Sequence, residues 1–234
     1  MTLKNQQVLI MGGTSGIGLA AARLFNGEQA KVTVTGRNPE KIRAAVKEGL
    51  RAEKVDSSRP EELEAFFGSY GSIDHLVIAL GSTKGVGNFK ELSFEGLREG
   101  FDEKYWAHLY TLRAALPYLK ERASVTLVTA ISGTAKMPGT SGIGSVNGAL
   151  EIMVPILSKE LKPLRVNAVS PGIVDTPWWD FMTPEAKRDT FAHFATQIPL
   201  GRVAQAEEVA NAILFLAGND YMTGKVVACD GGIV

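Results

Sequence analysis

Short apolar runs alternate with longer segments whose apolar residues recur every three or four positions, from one end of the chain to the other. The runs predict strands at Val8–Met11, Lys31–Gly36, Ala52–Val55, Ile73–Leu80, Ser124–Ile131, Leu164–Val169 and Lys225–Cys229. Helical spacing predicts a helix after Gly18, one from Pro39 to about Glu48, and one from Pro60. The last of these carries Glu61 and Glu62 in its first turn, where the helix dipole favours acids. Further helices are predicted from Phe94 to Leu119 with an interruption near Gly100, from Ser141 to Leu161 with a bend at Pro155, and from Glu207 to Ala217. Such alternation predicts one α/β domain over residues 1–234, a doubly wound parallel sheet of about seven strands with helices on both faces. No linker, repeat or low-complexity tract divides it.

Composition adds exclusions. The 234 residues, 45% of them hydrophobic, suffice for one large core. Twenty-five basic and twenty-five acidic residues balance, so neither nucleic acid nor an anionic membrane is an expected partner. No apolar run is long enough to span a bilayer, no signal-peptide pattern opens the chain, and the single Cys229 cannot close an internal disulfide. A cytoplasmic setting is expected. His75 and His193 show no ligand spacing with carboxylates or Cys229, so no metal site is expected.

The candidate chemistry gathers at strand ends. Val8–Met11 runs into Gly12-Gly13-Thr14-Ser15-Gly16-Ile17-Gly18, and a helix follows. Glycine permits a sharp turn and close backbone approach, and a helix start presents free N–H groups suited to a pyrophosphate. Arg37 lies nineteen positions after Gly18, where an NAD site often carries a carboxylate. A guanidinium there can pair with a 2′-phosphate, with Ser15 and Asn38 adding neutral contacts, so NADP(H) is expected over NAD(H). Asp56, Gly81, Ile131-Ser132 and Pro171-Gly172 occupy other strand ends, where ligands of such sheets bind.

On these residues the chain resembles the short-chain dehydrogenase/reductase family over nearly its whole length. Gly12 to Gly18 is similar to the family's TGxxxGxG, with Met11 in place of threonine. Asp56 matches the adenine contact, and Asn167 to Gly172 with Val174 and Thr176 resembles the segment that holds the nicotinamide amide. Ile198 to Arg202, Glu207 to Ala210 and Asp230-Gly231-Gly232 resemble the C-terminal signature. The resemblance implies a Rossmann-like fold, hydride transfer with a small-molecule substrate, and a homodimer or homotetramer built on the helices either side of the fifth strand. It also implies a substrate lid near residues 176–200, where Trp178, Trp179, Phe181, Met182, Phe191 and Phe194 suggest either a cover for an apolar or ring-containing ligand or core and interface packing.

The catalytic positions depart from the family. It uses a tyrosine to protonate the carbonyl oxygen, a lysine four residues later to lower the tyrosine pKa, a serine to orient the carbonyl and an asparagine to complete a proton relay. Aligning Ala149-Leu150 with the family pattern puts Ile143 at the tyrosine, Asn147 at the lysine, Ala130 at the serine and Lys104 at the asparagine. No tyrosine lies between Ser141 and Asn147, and Tyr221–Lys225 is an accidental match broken by Gly224. Ile78-Ala79-Leu80-Gly81 replaces Asn-Asn-Ala-Gly. Candidate substitutes are the Ser132 hydroxyl and the pair Lys104 and His108, one helical turn apart; the alternative for His108 is a buried, hydrogen-bonded core histidine. Ser145 and Asn147 are expected near the cofactor ribose. Two main functions follow: an atypical oxidoreductase acting on an activated carbonyl, imine or enone, or an inactive NADP(H)-binding pseudoenzyme serving as sensor or partner subunit; a third is a non-redox enzyme that keeps the fold and uses the pocket for other chemistry.

Overall fold

The computed structural model describes residues 3–234; the first two residues of the expected domain lie outside it. Its first half is β1 (Gln7–Met11), α1 (Gly16–Gly27), β2 (Lys31–Gly36), α2 (Pro39–Lys47), β3 (Arg51–Lys54), α3 (Pro60–Tyr70) and β4 (Ile73–Ile78). Its second half is α4 (Phe94–Gly100), a π-helical turn (Phe101–Trp106), α5 (Ala107–Ala115), β5 (Leu119–Val128), α6 (Ser141–Glu160), β6 (Arg165–Pro171), β7 (Val174–Asp175), α7 (Pro184–Gln197), β8 (Ala204–Gln205), α8 (Ala206–Gly218) and β9 (Val226–Cys229). Seven strands form one sheet in the order β3-β2-β1-β4-β5-β6-β9, and every pair is parallel. Chain direction across the sheet reverses between β1 and β4, which opens a crevice beyond their carboxyl ends.

The strands are nearly continuous apolar runs because both faces are covered. On one face Phe25 of α1 and Val209, Ile213 and Leu216 of α8 pack with Val8, Ile10 and Val34. On the other, Leu63 and Phe67 of α3, Leu112 of α5 and Val154 of α6 pack with Leu9, Met11 and Leu76. Burying side chains of this size contributes about 1.5–3 kcal/mol each. Among the described residues no helix is long and apolar enough to cross a membrane.

The expected long helix from Phe94 to Leu119 is three pieces: α4, the π turn and α5. It closes through a 3₁₀ turn at Leu116–Tyr118, as Pro117 has no N–H to continue the ladder. The fifth strand ends at Val128 instead of Ile131, because Ile131–Gly133 turns into a 3₁₀ helix. α6 runs uninterrupted through Pro155. The short pair β7 and β8 was not foreseen; two-residue strands carry no periodicity.

The glycine turn is demanded by packing. A Cβ on Gly18 would lie 2.4 Å from the Gly12 carbonyl oxygen, and one on Gly12, whose φ is +79°, would lie 2.5 Å from the Ala79 oxygen. These absent side chains let α1 start directly against the ends of β1 and β4. Gly12→Ala is therefore expected to destabilise the fold by at least about 2 kcal/mol. Gly27→Ala, at the open end of α1 with no atom within 4 Å, is expected to be neutral or stabilising. Urea unfolding of the two variants checks this contrast.

Candidate active site

Two cavities open at the carboxyl ends of the strands. The first, of about 230 Å³, lies beyond β1, β2 and β4. It is lined by Gly12, Thr14, Ser15, Gly36, Arg37, Asn38, Asp56 and Gly81, all expected from sequence. It also exposes Lys41 and Glu103, which were not expected. Asn38 is the N-cap of α2: its Oδ1 accepts from Glu40 N at 2.8 Å and Lys41 N at 3.1 Å. The side-chain oxygen thus serves the helix start, while Asn38 also lines the cavity. Lys41, in the first turn of α2, lines the cavity as Arg37 does, so two cations flank it. Asp56 Oδ1 accepts from Ser58 N at 3.0 Å and Ser58 Oγ at 2.7 Å. Burial works to raise the Asp56 pKa, but the Ser58 hydrogen bonds with the charges of Arg37 and Arg59 outweigh it and hold the carboxyl below its usual range.

Gly16, Ile17, Gly18, Pro171, Gly172, Val174 and Thr176 do not line this cavity. Gly16 instead meets the segment after β6: a Cβ on it would lie 3.5 Å from Thr176 Cβ. Gly172 donates its N–H to the Cys229 carbonyl at 3.0 Å. A Cβ there would lie 2.8 Å from Asp230 Cα, which fixes this loop against the end of β9. The helix start and the loop after β6 thus face each other across the crevice.

Behind these ends sits a buried polar network that the sequence did not reveal. Glu151 Oε1 accepts from Thr129 Oγ1 at 2.7 Å and from Ser170 Oγ at 2.8 Å, tying α6 to the ends of β5 and β6. Lys104, in the π turn, donates from Nζ to the Thr129 carbonyl at 3.1 Å. Burial pushes the Lys104 ammonium down to about 8, against the opposing pull of the Glu151 charge. Four separate elements meet at Thr129. The only advance sign was an acid inside an otherwise apolar helix, four residues past Asn147.

His108 is a core residue. Its Nδ1 lies 2.7 Å from the Lys104 carbonyl and its Nε2 lies 3.1 Å from the Ile78 carbonyl. Burial, then the Lys104 charge, push it down to about 3. A neutral ring can donate to only one of those carbonyls. Neither Lys104 nor His108 lines either cavity. Of the two expectations for His108, the geometry matches the buried, hydrogen-bonded one.

Ser132 does reach a cavity. The second one, of about 480 Å³, lies between Asn88-Phe89 and the segment from Ser132 to Gly144. Asn147, fully buried on α6, donates from Nδ2 to Ser132 Oγ at 3.1 Å and to the Ile143 carbonyl at 3.0 Å. Exchanging the amide O and N would set oxygen against the Ile143 oxygen, so the donor assignment follows from the geometry. Because Ser132 Oγ accepts here, its own hydrogen is available to another acceptor. Asn147 Oδ1 is buried without a hydrogen-bond partner. Ile143 and Asn147 are one turn apart on α6, and Ala130, just past the end of β5, is partly exposed and brings no polar group. Ser145 does not point to a ligand: its hydroxyl donates to the Gly142 carbonyl at 2.6 Å. Tyr221 is 99% exposed, on the turn before β9.

The aromatic segment after β7 packs on itself. Trp178 and Trp179 are edge to face at 4.7 Å, and Trp179 meets Phe191 at 5.4 Å. The Trp178 indole N–H donates to the Ser82 carbonyl at 2.9 Å, and that of Trp179 to the Val174 carbonyl at 2.9 Å. None of these rings lines either cavity. Ser82 in turn donates to Glu103 Oε2 at 2.7 Å, so the segment is held across the crevice through β4's loop.

This fold, with its glycine turn and strand-end crevice, is that of the short-chain dehydrogenases/reductases, and the chain belongs to that family of oxidoreductases. A family model described as enoyl-(acyl carrier protein) reductase matches residues 12–234. The 3-oxoacyl-(acyl-carrier-protein) reductase FabG of Thermotoga maritima is 34% identical, with all of both chains covered. A small-chain dehydrogenase solved in complex with NADPH superposes with a TM-score of 0.87 at 28% identity, over 98% of this chain and 99% of that one. A short-chain oxidoreductase of Pseudomonas aeruginosa PAO1, described as containing an atypical catalytic center, superposes with a TM-score of 0.88 at 28% identity, over 98% and 97%.

The buried histidines set an acid limit on stability. Burial, followed by the Arg165 charge, pushes His75 down to about 4. His75 and His108 stay neutral in the fold while the unfolded chain takes up protons near the ordinary value of 6.5. Their contribution is present above about pH 6.5 and is lost as pH falls toward 4 and 3. Unfolding free energy measured in urea is expected to drop from pH 7 to 5, with a shallower slope in a His75→Gln/His108→Gln variant.

Proposed function

We propose that the protein is an NADP(H)-dependent oxidoreductase that polarises its substrate through Ser132 and works without the family's tyrosine and lysine pair. The hydrogen bond from Asn147 to Ser132 carries this reading. It holds Ser132 Oγ as an acceptor and turns the hydroxyl hydrogen toward a carbonyl, imine or enone acceptor in the second cavity. The P. aeruginosa enzyme with an atypical catalytic center supports it by analogy of fold.

The residues present fit the cofactor. Arg37 and Lys41, with Ser15, suit the 2′-phosphate, and Asp56 suits the adenine end. Gly16, Ile17 and Gly18 open α1 toward the pyrophosphate, and Gly81, Pro171, Gly172, Val174 and Thr176 border the nicotinamide half. Asn147 Oδ1 is a buried acceptor without a donor, which a ribose hydroxyl would satisfy. Bound NADPH supplies the hydride. Asn147 supplies no positive charge beside the ribose, and Lys104 supplies one from behind Thr129 without facing the substrate. The proton for the reduced substrate then comes from solvent in the open cavity. Residues 176–200 serve as the lid, latched by Trp178 on Ser82. Exposed Trp106, Tyr110, Ile152 and Ile156, on the π turn, α5 and α6, support pairing of two copies as a homo-oligomer.

The decisive test follows NADPH consumption against ketones, imines and enones, with NADPH and NADH affinities measured in parallel. NADPH is expected to bind more tightly, and Arg37→Glu to reverse or abolish the preference. Tight NADPH binding with no turnover across the panel would favour the pseudoenzyme. Ser132→Ala is expected to lower kcat by about 10²-fold with NADPH affinity unchanged. An equal fall in cofactor affinity would instead place Ser132 in the cofactor site.

A further inference from the structure

The second cavity states the charge of what it takes. At about 480 Å³ it is in the range of small-molecule sites. No aspartate or glutamate lines it, and Lys136 is its one formally charged residue. The contrast with the first cavity, where Asp56 and Glu103 accompany Arg37 and Lys41, is direct. No described carboxylate pairs with Lys136. Its backbone is left-handed, with φ of +51°, an uncommon conformation for lysine that the loop between β5 and α6 maintains. Ser132 lies four residues earlier on the same wall, with its hydroxyl hydrogen free for an acceptor. Phe89 and Met137 supply apolar surface. One cavity thus offers a neutral donor, apolar walls and a single positive charge.

We propose that this cavity binds a small carbonyl compound bearing a carboxylate, with the reducible oxygen on Ser132 and the carboxylate on Lys136. The proposal rests on the oxidoreductase reading for the identity of the reacting group, but the charge preference stands on the cavity lining alone. A cationic substrate has no counter-ion here, and a neutral one leaves the lysine unused.

The test uses isothermal calorimetry on the full chain saturated with NADPH, with two probes of matched shape, 4-acetylbenzoate and 4-acetylbenzamide. The titration with NADPH reports separately on the cofactor site, so failure there is distinguishable from failure here. The carboxylate is expected to bind at least about 5-fold more tightly than the amide at low salt, the gain of a solvent-accessible ion pair. In Lys136→Asn, chosen because asparagine tolerates the left-handed backbone, the two affinities are expected to converge while NADPH affinity is unchanged. Equal affinities in the parent protein, a preference that survives Lys136→Asn, or binding of neither probe overturns the proposal.

Discussion

The site depends on two carbon atoms that are missing. Gly12 and Gly18 bring the end of β1 and the first turn of α1 within a distance that no side chain can enter, and Gly12 sits equally close to Ala79 at the end of β4. That contact places a helix N-terminus at the point where strand order reverses, which is where a parallel sheet has an open crevice. The glycines are commonly explained by a ligand's approach. Here the protein's own backbone requires them first, and the ligand site is a consequence of the packing.

The second half of the site rests on buried charge. The resemblance implies an asparagine before β5 and a lysine on α6; this chain has Lys104 and Asn147, the same two residue types in exchanged places. The exchange withdraws the positive charge from α6 and sets it in the π turn, behind Thr129, where Glu151 is its counter-charge. Glu151 is itself held by two hydroxyls that tie β5 and β6 together. Removing one member of such a network leaves the others buried without partners, which costs more than the pair contributes in isolation. Asn147 is buried behind Ser132, and Ser132 lines the second cavity, whose one charged residue is Lys136, so the paired charges are internal and the cavity wall is otherwise neutral.

Legibility followed the range of the interactions. Arg37 and Asp56 were readable because strand ends in a parallel sheet converge, so position along the chain implies position in space. Lys41 was missed because its place depends on how the Asn38 cap turns the start of α2. Asn38 lines the same cavity, and that its side-chain oxygen also caps α2 follows from the local fold and not from its spacing. Glu151 reads in sequence as an ordinary helix carboxylate, and only packing against β5 and β6 buries it. Trp178 and Trp179 were legible as an aromatic cluster, but not as one that packs on itself and on Ser82, outside both cavities.

By itself the sequence determined the alternation of strands and helices, the parallel sheet and the glycine turn, because apolar periodicity and glycine act over a few residues. It also determined that no tyrosine stands on the first two turns of α6. Tertiary structure decided the rest. It set His108 in the core against the Ile78 carbonyl, placed Asn147 Nδ2 on Ser132, and made the interruption expected near Gly100 a π turn between α4 and α5. The physical reason for the two side chains is the same. Each is set by a hydrogen-bond partner on another element fifteen or thirty residues away in the chain, and their meeting depends on how the sheet brings those elements together.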